Sequence, residues 1–449
     1  MSLPRYEKYK DSGVQWLDPV PAHWQVLALS RVLQQPVTDG PHSTPKFCDE
    51  GVPFLSVDGI QDGELVFEGC RFISQRDHDE FSRKAAPRAN DILMGKAASV
   101  GKIARVKTDA EFSIWSPLAL IRVSRDSCLP EFAEYALKSL GVQAQVITLA
   151  NSNTQLNIGM KDIPKLRFCL PPLSEQKFIG AFLGRETAKI DALIAEQEKL
   201  IALLAEKRQA TISHVVTRGI DPNAPMKNSG VSWLSEVPAH WEVMPLKWMV
   251  DPSRPIMYGI VLPGPDVGEG VPILKGGNVK PSRMNLESMA RTTAEIEAPY
   301  ARARLRAGDL VYAIRGTIGD CEAVPDEMEG ANITQDVARV AVGDTDVSSW
   351  IRWALLSAPV REELAVGSLG AAVRGVNIFD LRRVKVPRPP IAEQKKIAAY
   401  LDRQVAEFDE LSATARRAIE LLKEHRRALI AAVITGQIDV RGEVAEVTA

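Results

Sequence analysis

The chain has 449 residues and only five cysteines, Cys48, Cys70, Cys128, Cys169 and Cys321. They are widely spaced and no C-x-x-C pair occurs, which excludes a zinc ribbon or a disulfide framework as the organising device. The six histidines, at positions 23, 42, 78, 214, 240 and 425, also lack zinc spacing. No apolar run approaches the roughly 20 residues that span a bilayer. Arg5, Glu7, Lys8 and Lys10 open the chain without an apolar segment behind them, so no signal peptide is read and the cytoplasm is the expected location. An excess of one charge is missing too: 55 Lys and Arg stand against 57 Asp and Glu, a net of −2. That total does not announce a nucleic-acid binder. Charge is uneven, however. Residues 81–125 hold nine Lys or Arg against Asp91, Asp109 and Glu111.

Enzyme signatures are absent as well. GKAASVGK (95–102) looks like a phosphate loop, but five residues separate its glycines instead of four, and Ile103 follows Lys102 where Ser or Thr is needed. No G-x-G-x-x-G opens a helix after a strand. No Asn-Pro-Pro-aromatic or Asp-Pro-Pro-Tyr segment occurs, so an amino-methyltransferase site is not read. Glu175-Gln176-Lys177 mimics part of a nuclease motif, yet it lies at a helix start without nearby acids to hold a metal.

What is present is a duplication. Residues 12–29, SGVQWLDPVPAHWQVLAL, match residues 229–246, SGVSWLSEVPAHWEVMPL, at twelve of eighteen positions and an offset of 217. PPLSEQK (171–177) returns as PPIAEQK (389–395). Between them AND-ILMGKAASVG (89–101) parallels AGD-LVYAIRGTIG (307–319), with Asp91 facing Asp309 and Gly101 facing Gly319. Two copies of one long module are implied, not a solenoid of short repeats.

Each module has two parts. Short apolar runs such as PFLSV, DILMG, LALIRV, DLVYAI and VARVAV, punctuated by Pro, Gly, Asn and Asp, predict an α+β domain. EFAEYALKSLG (131–141) and WALLSAPVREELA (353–365) predict helices in matching places. The second part predicts a long helix. Ser174 to Thr217 contains no Pro, and Ile190, Leu193, Ile194, Leu200, Ile201, Leu204, Ile212 and Val215 fall at three-and-four spacing. Its counterpart from about Ala392 to Thr435 sets Leu401, Phe408, Leu411, Ala415, Ala418, Leu422, Leu429 and Val433 on its seam. Gly219 and Gly436 stand just past the two ends. A 44-residue helix is about 66 Å long. Each narrow stripe is expected to bury against the other helix in an antiparallel coiled coil, giving a pseudo-two-fold chain; the alternative is each helix folding back on its own globular domain. The expected division is 1–170, a first α+β domain; 171–221, a first spacer helix; 222–388, a second α+β domain; and 389–449, a second spacer helix with its tail.

The order W-L-x-x-V-P-A-H-W, variable domain, PP-L/I-x-EQK, long helix, twice over, resembles the specificity subunits of type I restriction–modification systems. TDGPHSTPKF (38–47) before GVPFLSVDGI (51–60), and the looser MYGIVLPG (257–264) before GVPILKGGNV (270–279), carry the same resemblance. It covers nearly the whole chain. It implies two target recognition domains, each reading half of a split sequence in double-stranded DNA, joined by helices that set the spacing. It also implies docking of two methyltransferase subunits, and through them of restriction and translocase subunits. No cofactor is expected on this chain; S-adenosylmethionine is expected on the methyltransferase partner. The chain is expected to be non-catalytic.

Candidate DNA contacts are polar or basic residues on loops able to enter a groove. In the first half these are His42, Ser43, Thr44 and Lys46; Lys96, Ser99 and Lys102; and Asn153, Thr154 and Gln155. In the second they are Tyr258, Lys275, Asn278, Arg315, Thr317 and Arg374. His23-Trp24 and His240-Trp241 are read as packing motifs that open each domain, and Asp91 and Asp309 as turn caps. Two rivals remain open: a coiled-coil scaffold for protein partners, and a DNA-modifying enzyme in its own right.

Overall fold

The computed structural model describes residues 4–14, 17–152, 156–366 and 375–443. The chain divides into two compact units, one of residues 1–197 with 417–449, the other of residues 198–416. Each is a mixed α and β body that contains a stretch of both long helices.

In the first unit an antiparallel sheet runs in the order Ile103–Arg105, Ile92–Gly95, Leu118–Ile121, Thr38–Asp39. The central strands are buried at every position, as their unbroken apolar runs require. The second unit builds the same sheet from Cys321–Ala323, Leu310–Ala313, Val337–Val340 and Met257–Tyr258. A second sheet repeats its parallel pair: Ser113–Ile114 beside Val52–Leu55, and Asn332–Ile333 beside Val271–Leu274. A third pairing closes each domain, Arg167–Leu170 on Gln25–Ala28 and Lys385–Arg388 on Glu242–Pro245. Each long helix therefore leaves from a strand hydrogen-bonded to the start of its own domain.

The single helices predicted over 131–141 and 353–365 are each two. Pro130–Lys138 stops at Ser139 and Leu140–Leu149 follows. Ser348–Leu356 stops at Ser357 and Ala358–Val366 follows. Both serines are extended, and each buried hydroxyl donates to the carbonyl three residues back, Ala136 or Ala354, at 2.6 Å. That local bond competes with the helical ladder and turns the chain.

The long helices span Leu173–Arg218 and Ile391–Ile434. In the first unit they run antiparallel: Asp191 pairs with Arg426 at 2.9 Å, and Arg185 reaches the Glu443 carbonyl at 3.1 Å. Ile179, Phe182, Leu183 and Ile190 share a core there with Leu429, Ile430 and Val433. In the second unit Arg208 meets Asp409 at 3.4 Å, while Ile212, Val215 and Val216 pack with Ile397, Leu401 and Val405. The stripes differ in part from the expected ones. Leu193, Leu200 and Leu411 are exposed, and Ile419 is buried beside half-buried Ala418. Among the described residues no helix is long and apolar enough to cross a membrane.

The PP-x-x-EQK motif fastens helix to domain. Gln176 is buried; its Oε1 accepts from Leu129 N at 2.7 Å, and its Nε2 donates to the Ser127 and Pro171 carbonyls at 3.0 and 2.9 Å. Gln394 repeats this with Val347 N at 2.8 Å and the Pro389 carbonyl at 2.9 Å, adding Asp346 at 2.9 Å. Glu175 accepts from Trp24 Nε1 and Tyr6 Oη, both at 3.0 Å, and lies 2.6 Å from His23 Nε2; Glu393 lies 2.7 Å from His240. The PAHW segments are thus the sockets for the helix starts. Trp24 and Trp241 are wholly buried, though Trp241 Nε1 has no partner among the described residues.

Replacing Gln176 by Leu strands three buried backbone groups, at about 1–3 kcal/mol each. Gln176→Leu should lower the urea midpoint by the equivalent of roughly 3 kcal/mol and raise amide exchange at Leu129 but not at Val347. Gln394→Leu should do the reverse. Equal exchange at both amides in either variant would contradict a local clamp.

Candidate DNA interface

The candidate loops sit beside the edge strand of each four-stranded sheet. In the first unit the chain leaves Thr38–Asp39 and crosses the end of the strand Ser113–Ile114 at Gly40. A Cβ there would fall 1.8 Å from the Ile114 carbonyl oxygen. In the second unit Gly259 makes the same crossing, 1.9 Å from the Ile333 oxygen. Only glycine allows either approach. Backbone bonds repeat around the crossing. Ser116 N donates to the Pro41 carbonyl at 3.2 Å, and Gln335 N to that of Ile260 at 2.9 Å. Lys96 N donates to Pro117 at 2.8 Å, and Ile314 N to Asp336 at 2.9 Å. Ile158 N reaches the Lys96 carbonyl at 2.9 Å, and Val376 N that of Ile314 at 2.8 Å. These bonds of the loop frame are therefore duplicated.

The side chains on that frame are not duplicated. His42, Ser43, Thr44 and Lys46 are exposed on the first loop. His42 Nδ1 lies 3.0 Å from Ser116 Oγ, and its Nε2 3.3 Å from Asp39. Lys96 is 7% exposed and its ammonium lies 2.8 Å from Asp39. Lys84 binds the same carboxylate at 2.5 Å. Burial pushes the Asp39 carboxyl up, and the hydrogen bonds and charges of Lys84 and Lys96 outweigh that and hold it below the usual carboxylate range. Lys102 is half-buried and donates to the Ile60 carbonyl at 2.9 Å; Ser99 is half-buried on the same loop. Asn153, Thr154 and Gln155 lie outside the described residues, as does Arg374.

In the second unit Val261, Leu262 and Pro263 stand where the first has His42, Ser43 and Thr44. Leu262 is 81% exposed. Tyr258, 48% exposed, occupies the place of Asp39, and Ile314 that of Lys96. Tyr258 and exposed Arg315 flank a hollow of about 430 Å³ with Gln335 and Asn377. Thr317 Oγ1 donates to the Gly276 carbonyl at 2.9 Å, and Asn278 Oδ1 accepts from Lys275 N at 3.3 Å, so these two loops are tied together. Lys275 is exposed.

Asp91 and Asp309 cap their turns by accepting from Arg88 N and Arg306 N, each at 2.8 Å. Each also takes a bidentate arginine, Arg122 and Arg254, supplied from different places in the two sequences. Lys84, Ser116 and Gln335 were not among the expected residues. Register alone could have flagged the last two, since Gly40 to Ser116 and Gly259 to Gln335 are equal intervals. Among the described residues no three His, Cys, Asp or Glu side chains gather as a metal site would need.

Residues 23–202 match the family model described as the type I restriction modification DNA specificity domain. The match ends near the close of the first repeat, and full-length relatives carry it through the second. A type I restriction enzyme specificity subunit of Escherichia coli, EcoBI, is 25% identical over 323 residues, 71% of this chain and 68% of that one. A putative one of Methanocaldococcus jannaschii, MjaX, is 23% identical over 434 residues, 94% of this chain and 95% of that one. The chain is similar to type I specificity subunits over nearly its whole length. Its fold agrees: a chain from a type I restriction–modification system, solved to explain complex assembly and conformational transition, superposes with a TM-score of 0.73 at 18% identity, covering 93% of this chain and 99% of that one. The HsdS subunit of Thermoanaerobacter tengcongensis gives 0.54 at 18% identity, covering 93% and 98%.

Asp39 and Lys96 make a testable pair. Removing one partner of a buried ion pair costs about 3–5 kcal/mol, whereas an apolar replacement of both is often neutral. Asp39→Ala should cut stability of the first unit by roughly 3 kcal/mol at pH 7 in urea titrations, and adding Lys96→Ile should restore most of it. Because the folded Asp39 pKa is depressed, its contribution is full above about pH 4 and is lost as pH falls through the folded value, so Asp39→Ala should flatten the acid limb. A double variant as unstable as the single one would remove the pair from the account.

Proposed function

We propose that this specificity subunit reads a split sequence in double-stranded DNA, one half-site per unit, and delivers modification subunits to it. It is the targeting component and not the catalyst. The observation that carries the reading is the contrast within the duplicated loop frame. Backbone bonds, glycine crossings and helix clamps repeat, while the outward side chains change from His42, Ser43 and Thr44 to Val261, Leu262 and Pro263. A frame kept for packing with a new set of tips suits two readers of different base sequences. A scaffold with one kind of partner has no need of divergent tips on matched frames.

On this reading phosphates are held by Lys46, Lys102, Lys275 and Arg315, which give affinity and register. Base edges are met by His42, Ser43, Thr44, Ser99, Tyr258, Asn278 and Thr317, together with Asn153, Thr154, Gln155 and Arg374. Lys96 acts through Asp39, holding the loop that carries His42. The proposed recognition domains are residues 1–170 and 222–388. The spacer segments 171–221 and 389–449 would act as a ruler, since helix without a break connects one reader to the next and a stiff link discriminates spacing where a flexible one does not. Two methyltransferase subunits, with S-adenosylmethionine bound to them, would dock on this chain, and restriction subunits would join through that complex. Exposed Leu193 in the first unit, and Leu200, Leu203 and Leu411 in the second, support such docking.

Mapping methylated adenines in DNA treated with this chain and the modification subunit of its own system tests the proposal. A split motif with a fixed gap is the expected result; a short continuous motif refutes it. Binding should weaken steeply with salt. Inserting one heptad into each long helix adds about 10 Å, and should lengthen the preferred gap by about three base pairs while both half-sites stay the same.

A further inference from the structure

Resting on that reading, we infer that Gln335 is a base-reading residue of the second unit and recognises an adenine edge in its half-site. The position is set by the backbone. Gln335 N donates to the Ile260 carbonyl, and the next residue, Asp336, offers its carbonyl to Ile314 N and Arg315 N. A parallel bridge joins Ile260 to Thr334 on its other side. The residue is thus pinned at the glycine crossing, between the loop of Tyr258 and the loop of Arg315.

The side chain is the unusual part. In the first unit the same position is Ser116, whose hydroxyl pairs with His42. In the second unit Val261 replaces that histidine and offers no polar group. Gln335 lies half-buried in the wall of the hollow, and its carboxamide makes no hydrogen bond to any described residue. Two polar neighbours, Thr334 and Asn377, are bonded to backbone instead. Thr334 Oγ1 donates to the Leu274 carbonyl at 3.4 Å, and Asn377 Oδ1 caps Phe379 N at 2.9 Å. A carboxamide on a fixed backbone position, open to the hollow and bonded to no described side chain, is free to pair with a ligand that enters. A primary carboxamide presents one donor and one acceptor side by side, the complement of adenine N7 and N6 in the major groove. Exposed Arg315 beside it supplies the cation that would hold the adjoining phosphate.

The test selects from randomised duplex DNA with the full chain assembled with its modification subunit. Wild type should return a split motif. Gln335→Ala should lose preference at a single A·T pair in one half-site, by about 5- to 150-fold, leaving the other half-site and the gap unchanged. Gln335→Glu, nearly the same shape, should move preference at that pair towards cytosine, whose amino group donates to a carboxylate. An unchanged motif, a uniform loss of affinity without loss of preference, or relaxation at a G·C pair would each overturn the inference. Failure of the wild type to return any split motif would instead overturn the underlying function. Circular dichroism of both variants separates misfolding from altered reading, and the glutamate variant keeps the volume of the original side chain.

Discussion

The architecture depends on one junction, made twice: the Glu-Gln pair in the first turn of each long helix. Glutamine makes three bonds to backbone from two segments, and glutamate gathers polar atoms of the opening PAHW segment. Both glutamines are buried, so neither can exchange these bonds for water without exposing the core. A helix fastened this way leaves its domain in one direction. Any use of the helices as spacers requires that, because a swivel at the first turn would undo a stiff rod beyond it.

The far ends of the helices complete the scheme. Gly219, in the left-handed conformation at the end of the first helix, packs on Trp241 of the second unit. Gly436, at the end of the second, packs on Trp24 and Pro21 of the first unit. Tyr9 Oη donates to the Gly436 carbonyl at 2.9 Å and Asp439 N donates to the Pro4 carbonyl at 2.8 Å. Each buried tryptophan is therefore shared by a helix that starts and a helix that ends. The same sequence repeat supplies both roles, which explains why the motif recurs with so little change.

Much of this was legible in the sequence because repetition is read without knowing any structure. The PAHW and EQK motifs, the paired Asp91 and Asp309, and the two long apolar stripes all fell out of aligning the halves. The stripes were legible as helices but less so as seams. Three-and-four spacing is met by Leu193 and Leu200 as well as by Ile190 and Leu204, yet only the latter two are buried, because the neighbouring elements and not the spacing decide which side of the stripe is covered. The breaks at Ser139 and Ser357 escaped because serine competes for the backbone only in its actual surroundings. Lys96 looked like a free cation. Its partner, Asp39, is 57 residues away in sequence and was invisible to local charge counting.

That pair shows how such a frame can change its tips. Where the first unit buries Lys96 on Asp39, the second has Ile314 and Tyr258 at the same two backbone positions. Loss of Asp39 alone would leave Lys96 buried without its partner. Both changes together replace an ion pair by residues that carry no charge, an exchange that is often near neutral. The surrounding bonds are backbone to backbone and indifferent to the trade, so Gly40 and Gly259 still cross their strands and the next loop still returns to the same point. Ser116 and Gln335 differ on the same terms: the amide nitrogen holds the position, and the side chain is left to the outside. A fold that fixes its loops through main-chain atoms can alter what those loops present while keeping where they present it. Both outcomes of that separation of duties stand here within a single chain.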